Sequence, residues 1–182
     1  MKNKELNEVD NDILERLLEY CKYLYEEEKE RTDRIEKKLN IFTFVLGGSV
    51  LGVLMLPIGK LSMLLSNPNE GVLVFVVLLF SASILLFLFS SIFTILVYKV
   101  RRFEMPSDPK IATIKSISME SKKDLLSAII ADYSIATNRN HDINDKKASH
   151  LSKALIFLLA GLVSFALSLF IFNITMLLKG GR

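Results

Sequence analysis

At 182 residues the chain has room for one domain of ordinary size. Apolar residues make up 51% and charged residues 24%, with mean hydropathy +0.36. These averages hide a segregation that excludes both an ordinary soluble domain and a disordered chain, because residues 39–59, 71–98 and 154–178 carry no charge at all.

Residues 1–40 predict a cytoplasmic amphipathic helix. From Asp10 to Lys38 there is no Gly or Pro, and Leu14, Leu17, Cys21, Leu24, Glu28, Arg31, Ile35 and Lys38 fall at alternating spacings of three and four. That is a heptad seam, apolar in its first half and polar in its second. Asp10 or Asn11 is the expected N-cap. Glu27–Arg31, Glu30–Arg34 and Asp33–Lys37 place an acid four residues before a base, worth about 0.2–0.5 kcal/mol each on a helix. The sole cysteine, Cys21, lies on this seam, which excludes an intramolecular disulfide and suits a small buried hydrophobe. No short apolar stretch with a cleavage signature opens the chain, so the first span is expected to serve as the insertion signal.

Residues 41–59 read as the first transmembrane helix and carry a GxxxG at Gly48 and Gly52. A short external loop, 60–71, leads to the second span, 72–98, which is longer than a bilayer core of about 30 Å requires. Residues 99–153 form a cytoplasmic linker and helix. Pro106 and Pro109 are expected to end the helix of the second span, and Ser116 or Ser118 to cap the next one. In that helix Leu126, Ile129, Tyr133, Ala136, Asn140, Ile143, Lys147, Leu151 and Ala154 keep the seam spacing into the third span, 154–178. The cluster 138–145 has the composition of a turn, yet the periodicity crosses it, so a continuous helix and a helix–turn–helix both stay open. An external tail, 179–182, closes the chain.

The fold expected is an all-α membrane protein of three transmembrane helices, the first and third extended into a cytoplasmic, coiled-coil-like stalk. Within fifteen residues of the span ends, one side holds Lys29, Arg31, Arg34, Lys37, Lys38, Lys99, Arg101, Arg102, Lys110, Arg139, Lys146, Lys147 and Lys153. The other holds Lys60, Lys179 and Arg182. This asymmetry puts the N-terminus and the 99–153 loop in the cytoplasm and the C-terminus outside. Both cytoplasmic helices run from an apolar tip through a polar belt into a span. Paired side by side, their tips would bury Leu14, Leu17, Leu18, Leu24, Leu126, Ile129, Ile130 and Tyr133, with Leu14, Leu17, Leu24, Ile129 and Tyr133 as the main contacts at a common height.

Candidate sites are packing faces rather than chemistry. Gly48 and Gly52 in the first span and Ala160, Ser164 and Ser168 in the third are small residues at helical spacing, which let backbones approach closely in lipid. One such face is expected to serve contacts inside the chain and the other, Gly48–Gly52, a homo-oligomer. No span contains an ionisable residue, which argues against a proton relay or an ion-coupled transporter. His141, Asp142, Asp145 and His150 suggest a metal cluster, but two ligands on one helix face are too few for a stable zinc site, so no metal is assigned. No phosphate loop, nucleophile elbow or metalloprotease motif occurs, so no cofactor and no enzymatic activity are expected. The net charge of +3 is too small to argue for nucleic acid.

The layout resembles small bacterial multi-span membrane effectors of anti-phage systems, the SLATT and Pycsar-effector sort. The resemblance rests on the helix through Tyr20, Tyr23, Tyr25 and Arg31 into Ile35 and the first span, and on the helix through Asp132 and Tyr133, past Asp145, into the last. It implies an oligomeric effector in a bacterial inner membrane that perturbs that membrane when its cytoplasmic helices are engaged. The alternative is a non-enzymatic membrane anchor or sensor subunit that docks a soluble cytoplasmic partner on its stalk.

Overall fold

The computed structural model describes residues 2–54, 71–100, 102–106 and 121–180, with side chains at 11–52, 71–72, 74–100, 102–106, 121–175 and 177. The external loop at 60–70, the end of the first span at 55–59 and the caps proposed at Ser116 and Ser118 lie outside these residues, as do Pro109 and residues 181–182 of the tail.

Three helices make up the described chain: α1 (Lys2–Leu54), α2 (Gly71–Lys99) and α3 (Lys122–Gly180). α1 starts eight residues before the cap expected at Asp10, since nothing in residues 2–9 breaks a helix. α2 ends at Lys99, well before Pro106. α3 begins with a reciprocal cap, in which the Asp124 N–H donates to Ser121 Oγ at 3.2 Å and the Ser121 hydroxyl donates to the Asp124 carboxylate at 2.7 Å. The turn-like cluster 138–145 is helical and α3 runs through it unbroken. Asn140 and Asn144 point inward there and are wholly buried, so their amides bond across the interface instead of competing for their own backbone.

The chain divides into two compact units. The first comprises residues 1–36 and 100–147. In it α1 and α3 run parallel. Lys122 pairs with Glu15 at 2.6 Å, Tyr25 meets Tyr133 edge-on at 5.5 Å, and Lys147 reaches Glu36 at 3.5 Å, so both sequences advance together. Residues of the 100–106 segment cover the pair, with Phe103 tilted against Tyr25 at 5.3 Å.

Burial along α1 follows a seven-residue repeat. Cys21, Tyr25, Thr32, Ile35, Leu39, Phe42 and Leu46 are buried, with Leu14, Leu18 and Glu28 partly so. Half of the expected seam, at Leu14, Cys21, Glu28 and Ile35, lies on this stripe. The other half sits one residue later, at Leu18, Tyr25 and Thr32, in place of Leu17, Leu24 and Arg31. Leu17 is 43% exposed, and Lys38 is exposed while Leu39 is buried. On α3 the expected seam coincides with the observed one at Leu126, Ala136, Asn140, Ile143, Lys147 and Ala154.

The second unit comprises residues 37–99 and 148–182. Phe42 and Leu46 of α1, Phe87 of α2 and Ala154 and Leu158 of α3 form one buried cluster, flanked by Val50, Phe80, Leu162 and Phe165. α2 and α3 are antiparallel and are joined by two side-chain-to-backbone bonds: the Ser90 hydroxyl donates to the Ala154 carbonyl at 2.8 Å, and Ser164 donates to the Leu79 carbonyl at 2.9 Å. Among the described residues two helices are long and apolar enough to cross a membrane, with 18-residue stretches of mean hydropathy 2.6 in α2 and 2.7 in α3. Those stretches are 22% and 17% buried. A core helix of a water-soluble domain buries most of such a surface.

Candidate functional site: a buried polar belt

Midway along the first unit the apolar seam gives way to polar side chains. Thr32, Asn140 and Asn144 are 5%, 0% and 0% exposed, and a polar group so placed requires partners. Asn144 Nδ2 donates to the Glu28 carbonyl at 3.0 Å and to the Glu28 carboxylate at 2.8 Å. Its Oδ1 accepts from the Thr32 hydroxyl at 2.9 Å. One turn earlier Asn140 treats Glu104 as a strand treats its neighbour: the Glu104 N–H donates to Asn140 Oδ1 at 2.7 Å, and Asn140 Nδ2 donates to the Glu104 carbonyl at 2.8 Å. Arg139 closes on the Glu104 carboxylate at 3.0 Å. These bonds hold the segment after α2 in a non-helical path.

At the edge of the belt sit four charged groups. His141 Nδ1 lies 2.8 Å from Glu28 Oε1, and His141 Nε2 lies 3.5 Å from Asp145. Arg31 reaches Asp145 at 2.5 Å and Glu28 at 3.6 Å. Arg31 thus pairs across to α3 and with Glu28, in place of the Glu27 partner that spacing suggested, whereas Arg34 does pair with Glu30 at 3.4 Å. Burial pushes the Glu28 carboxyl up, but hydrogen bonds from His141 and Asn144 and the Arg31 charge outweigh it, and its pKa falls below the ordinary value. The bond to Glu28 and the nearby Asp145 raise His141. The bond from Arg31 lowers Asp145. Each of these shifts favours the charged form of its group, protonated His141 and ionised Glu28 and Asp145. Among the described residues no trio of His, Cys, Asp or Glu is placed to hold a metal.

Of the stalk residues expected to pack, Tyr133 meets Tyr25, while Leu14, Leu24 and Ile129 are half-buried and Leu17 is exposed. With Ile13 at 58% and Tyr20 at 57% exposure, Leu17 belongs to a second apolar stripe on the outer face of α1. Cys21 is buried with a free thiol. In the second unit Gly48 and Gly52 are exposed, and a Cβ on either would meet no atom within 4 Å. Ala160 is exposed too, so it does not share the inward face with Ser164 and Ser168; Ser168 is buried and donates to its own helix at Phe165. The close approach is at Gly161, where an added Cβ would lie 2.8 Å from the Phe87 ring.

Sequence reasoning missed Thr32, Asn144 and Gly161. The two asparagines were spaced for one helix face, four residues apart, and Gly161 was a helix-interior glycine with its entropic cost, which marks a close approach. A scan against protein-family models, a search of curated proteins and a search of solved structures gave no match.

Proposed function

We propose that the chain is a three-span inner-membrane protein, N-terminus in the cytoplasm, that assembles into homo-oligomers and acts as a membrane-perturbing effector in bacterial anti-phage defence. The trigger in this reading is an event on the cytoplasmic helices, which form the stalk. The observation that carries it is that α1 and α3 each hold a polar-belt segment and an apolar segment in one unbroken helix. A change in how Glu28 and Asn144 pair then acts on the same helices that carry the apolar segments. The first span enters this reading through Phe42 and Leu46, which share a cluster with the two strongly apolar helices. Open space over Gly48 and Gly52 supports an intersubunit face there. The resemblance to small multi-span defence effectors supplies the biological context. Expression of the intact chain in bacteria with a membrane-potential dye tests it. Depolarisation that is lost in Gly48→Leu together with the oligomer supports the effector, and a monomer in nanodiscs removes it.

A second reading, an anchor that docks a soluble partner, is favoured by the exposed stripe of Ile13, Leu17 and Tyr20. Harmless expression together with a stable complex lost in Leu17→Asp would select it.

A further inference from the structure

The two units differ in the company their basic residues keep. In the first unit Arg16, Arg31, Lys122, Arg139 and Lys147 each have a carboxylate oxygen at 3.5 Å or closer, while Lys22, Arg102 and Lys146 stand exposed without one among the described residues. In the second, Lys37, Lys38, Lys99 and Lys153 are all exposed, and the described residues of that unit include no Asp or Glu. None of the four forms an ion pair with a described residue. Lys153 Nζ instead stands 5.8 Å from the centre of the Phe93 ring.

The four lie at one end of the unit. Lys153 adjoins Ala154, whose carbonyl receives the Ser90 hydroxyl. Lys99 is nine residues beyond Ser90, and Lys37 is five before Phe42, which shares a cluster with Ala154. At about 1.5 Å per residue the four fall within roughly 12 Å along the axis, a spread that flexible lysine side chains can close to reach the headgroups of one leaflet. Next to Lys153, Phe93 stacks on Phe157 at 5.5 Å, and Phe157 packs against Phe89, itself 49% exposed. That is an apolar wall for acyl chains directly beside unpaired cations.

We propose that Lys37, Lys38, Lys99 and Lys153 form a docking surface for anionic phospholipid headgroups, with lipid phosphates as the counter-ions the protein lacks. A cation beside an anionic leaflet is attracted to it and a zwitterionic leaflet offers no such pull, so four acting together select anionic over zwitterionic lipid. The inference rests on the membrane reading above.

The test is native mass spectrometry of the full chain released from micelles containing equal phosphatidylglycerol and phosphatidylcholine. Several-fold retention of phosphatidylglycerol is expected. It should vanish in the quadruple Lys→Gln variant and persist in the quadruple Lys→Arg variant. Inorganic phosphate should not displace the lipid. Equal retention of both lipids, a preference that survives Lys→Gln, or displacement by phosphate would each overturn the proposal. Carbonate extraction of native membranes, run in parallel, reads the membrane placement separately: a chain released by carbonate fails the membrane reading itself, and this inference with it.

Discussion

Asn144 holds Glu28 twice, donating to its main-chain carbonyl at 3.0 Å and to its carboxylate at 2.8 Å, from a position with no solvent exposure. Substituting Asn144 with Ala removes its bonds to Glu28 and Thr32 and leaves the Thr32 hydroxyl its own-helix acceptor, the Glu28 carbonyl at 3.0 Å. A hydrogen bond to a charged group such as the Glu28 carboxylate contributes about 1.5–3 kcal/mol. Amide exchange measured on the full chain in detergent should accelerate around residues 28–36 and 140–147, with residues 154–168 unchanged. Unchanged exchange in the polar segments would show that the belt contributes nothing.

Stability of the same belt should depend on pH through His141, which faces Glu28 and Arg31 of α1 and Asp145 of its own helix. Its pKa is raised in the folded chain. The resulting stabilisation is fully present below the unfolded value near 6.5 and is lost as pH climbs through the folded value. Glu28 is lowered, so its contribution is present above its unfolded value and is lost as pH falls through the folded one. Thermal melts in detergent should therefore show higher stability at mildly acidic pH than at pH 8. His141→Gln should flatten the alkaline limb and leave the acid limb in place. A limb that stays steep in that variant refutes the assignment.

Two glycine substitutions should behave oppositely. Gly161→Leu drives a side chain into Phe87 and should loosen the contact between α2 and α3 within one chain. Gly48→Leu meets open space within the chain, so it should leave the melting of the monomer unchanged and lower only the oligomer mass in nanodiscs. Identical effects of the two would contradict the division into an inner and an outer small-residue face.

The apolar stripes of α1 separate in the same way. Leu17→Asp, on the exposed stripe, should fold normally and lose assembly or partner binding. Ile129→Asp puts a charge at a half-buried seam position and should destabilise the first unit. Size-exclusion mass and amide exchange, taken together, distinguish these outcomes.

Reporter fusions at Arg182 and near Lys122 should give opposite signals if the chain crosses the membrane three times, as the basic-residue asymmetry argues. The same signal from both refutes that topology.

Periodicity alone located α3's inward face because Ala136, Ile143 and Ala154 leave little choice of stripe. On α1 it was ambiguous. Leu17 and Leu18, then Leu24 and Tyr25, are adjacent apolar pairs, and either member satisfies the spacing. The tie breaks further along, where Leu39 and Leu46 continue the stripe of Leu18 and Tyr25 while Lys38 ends the other. Carrying the repeat into the apolar segment settles a face that the polar segment leaves open. The belt was illegible for a different reason. Asn, His and Asp at 138–145 have turn composition, and their helical role depends on hydrogen-bond partners more than a hundred residues away.

The belt also acts as a vernier stop. A seam built from heptads alone permits α1 and α3 to slip past each other by one repeat, about 10 Å along the axis, with apolar again facing apolar. Asn144 meets Thr32 and Glu28 at one setting, and a slip by one repeat leaves its amide stranded in the dry interior. Sliding of the helices of this unit therefore carries that polar cost, and a signal arriving on their outer face shifts them along each other only by first breaking the Asn144 bonds.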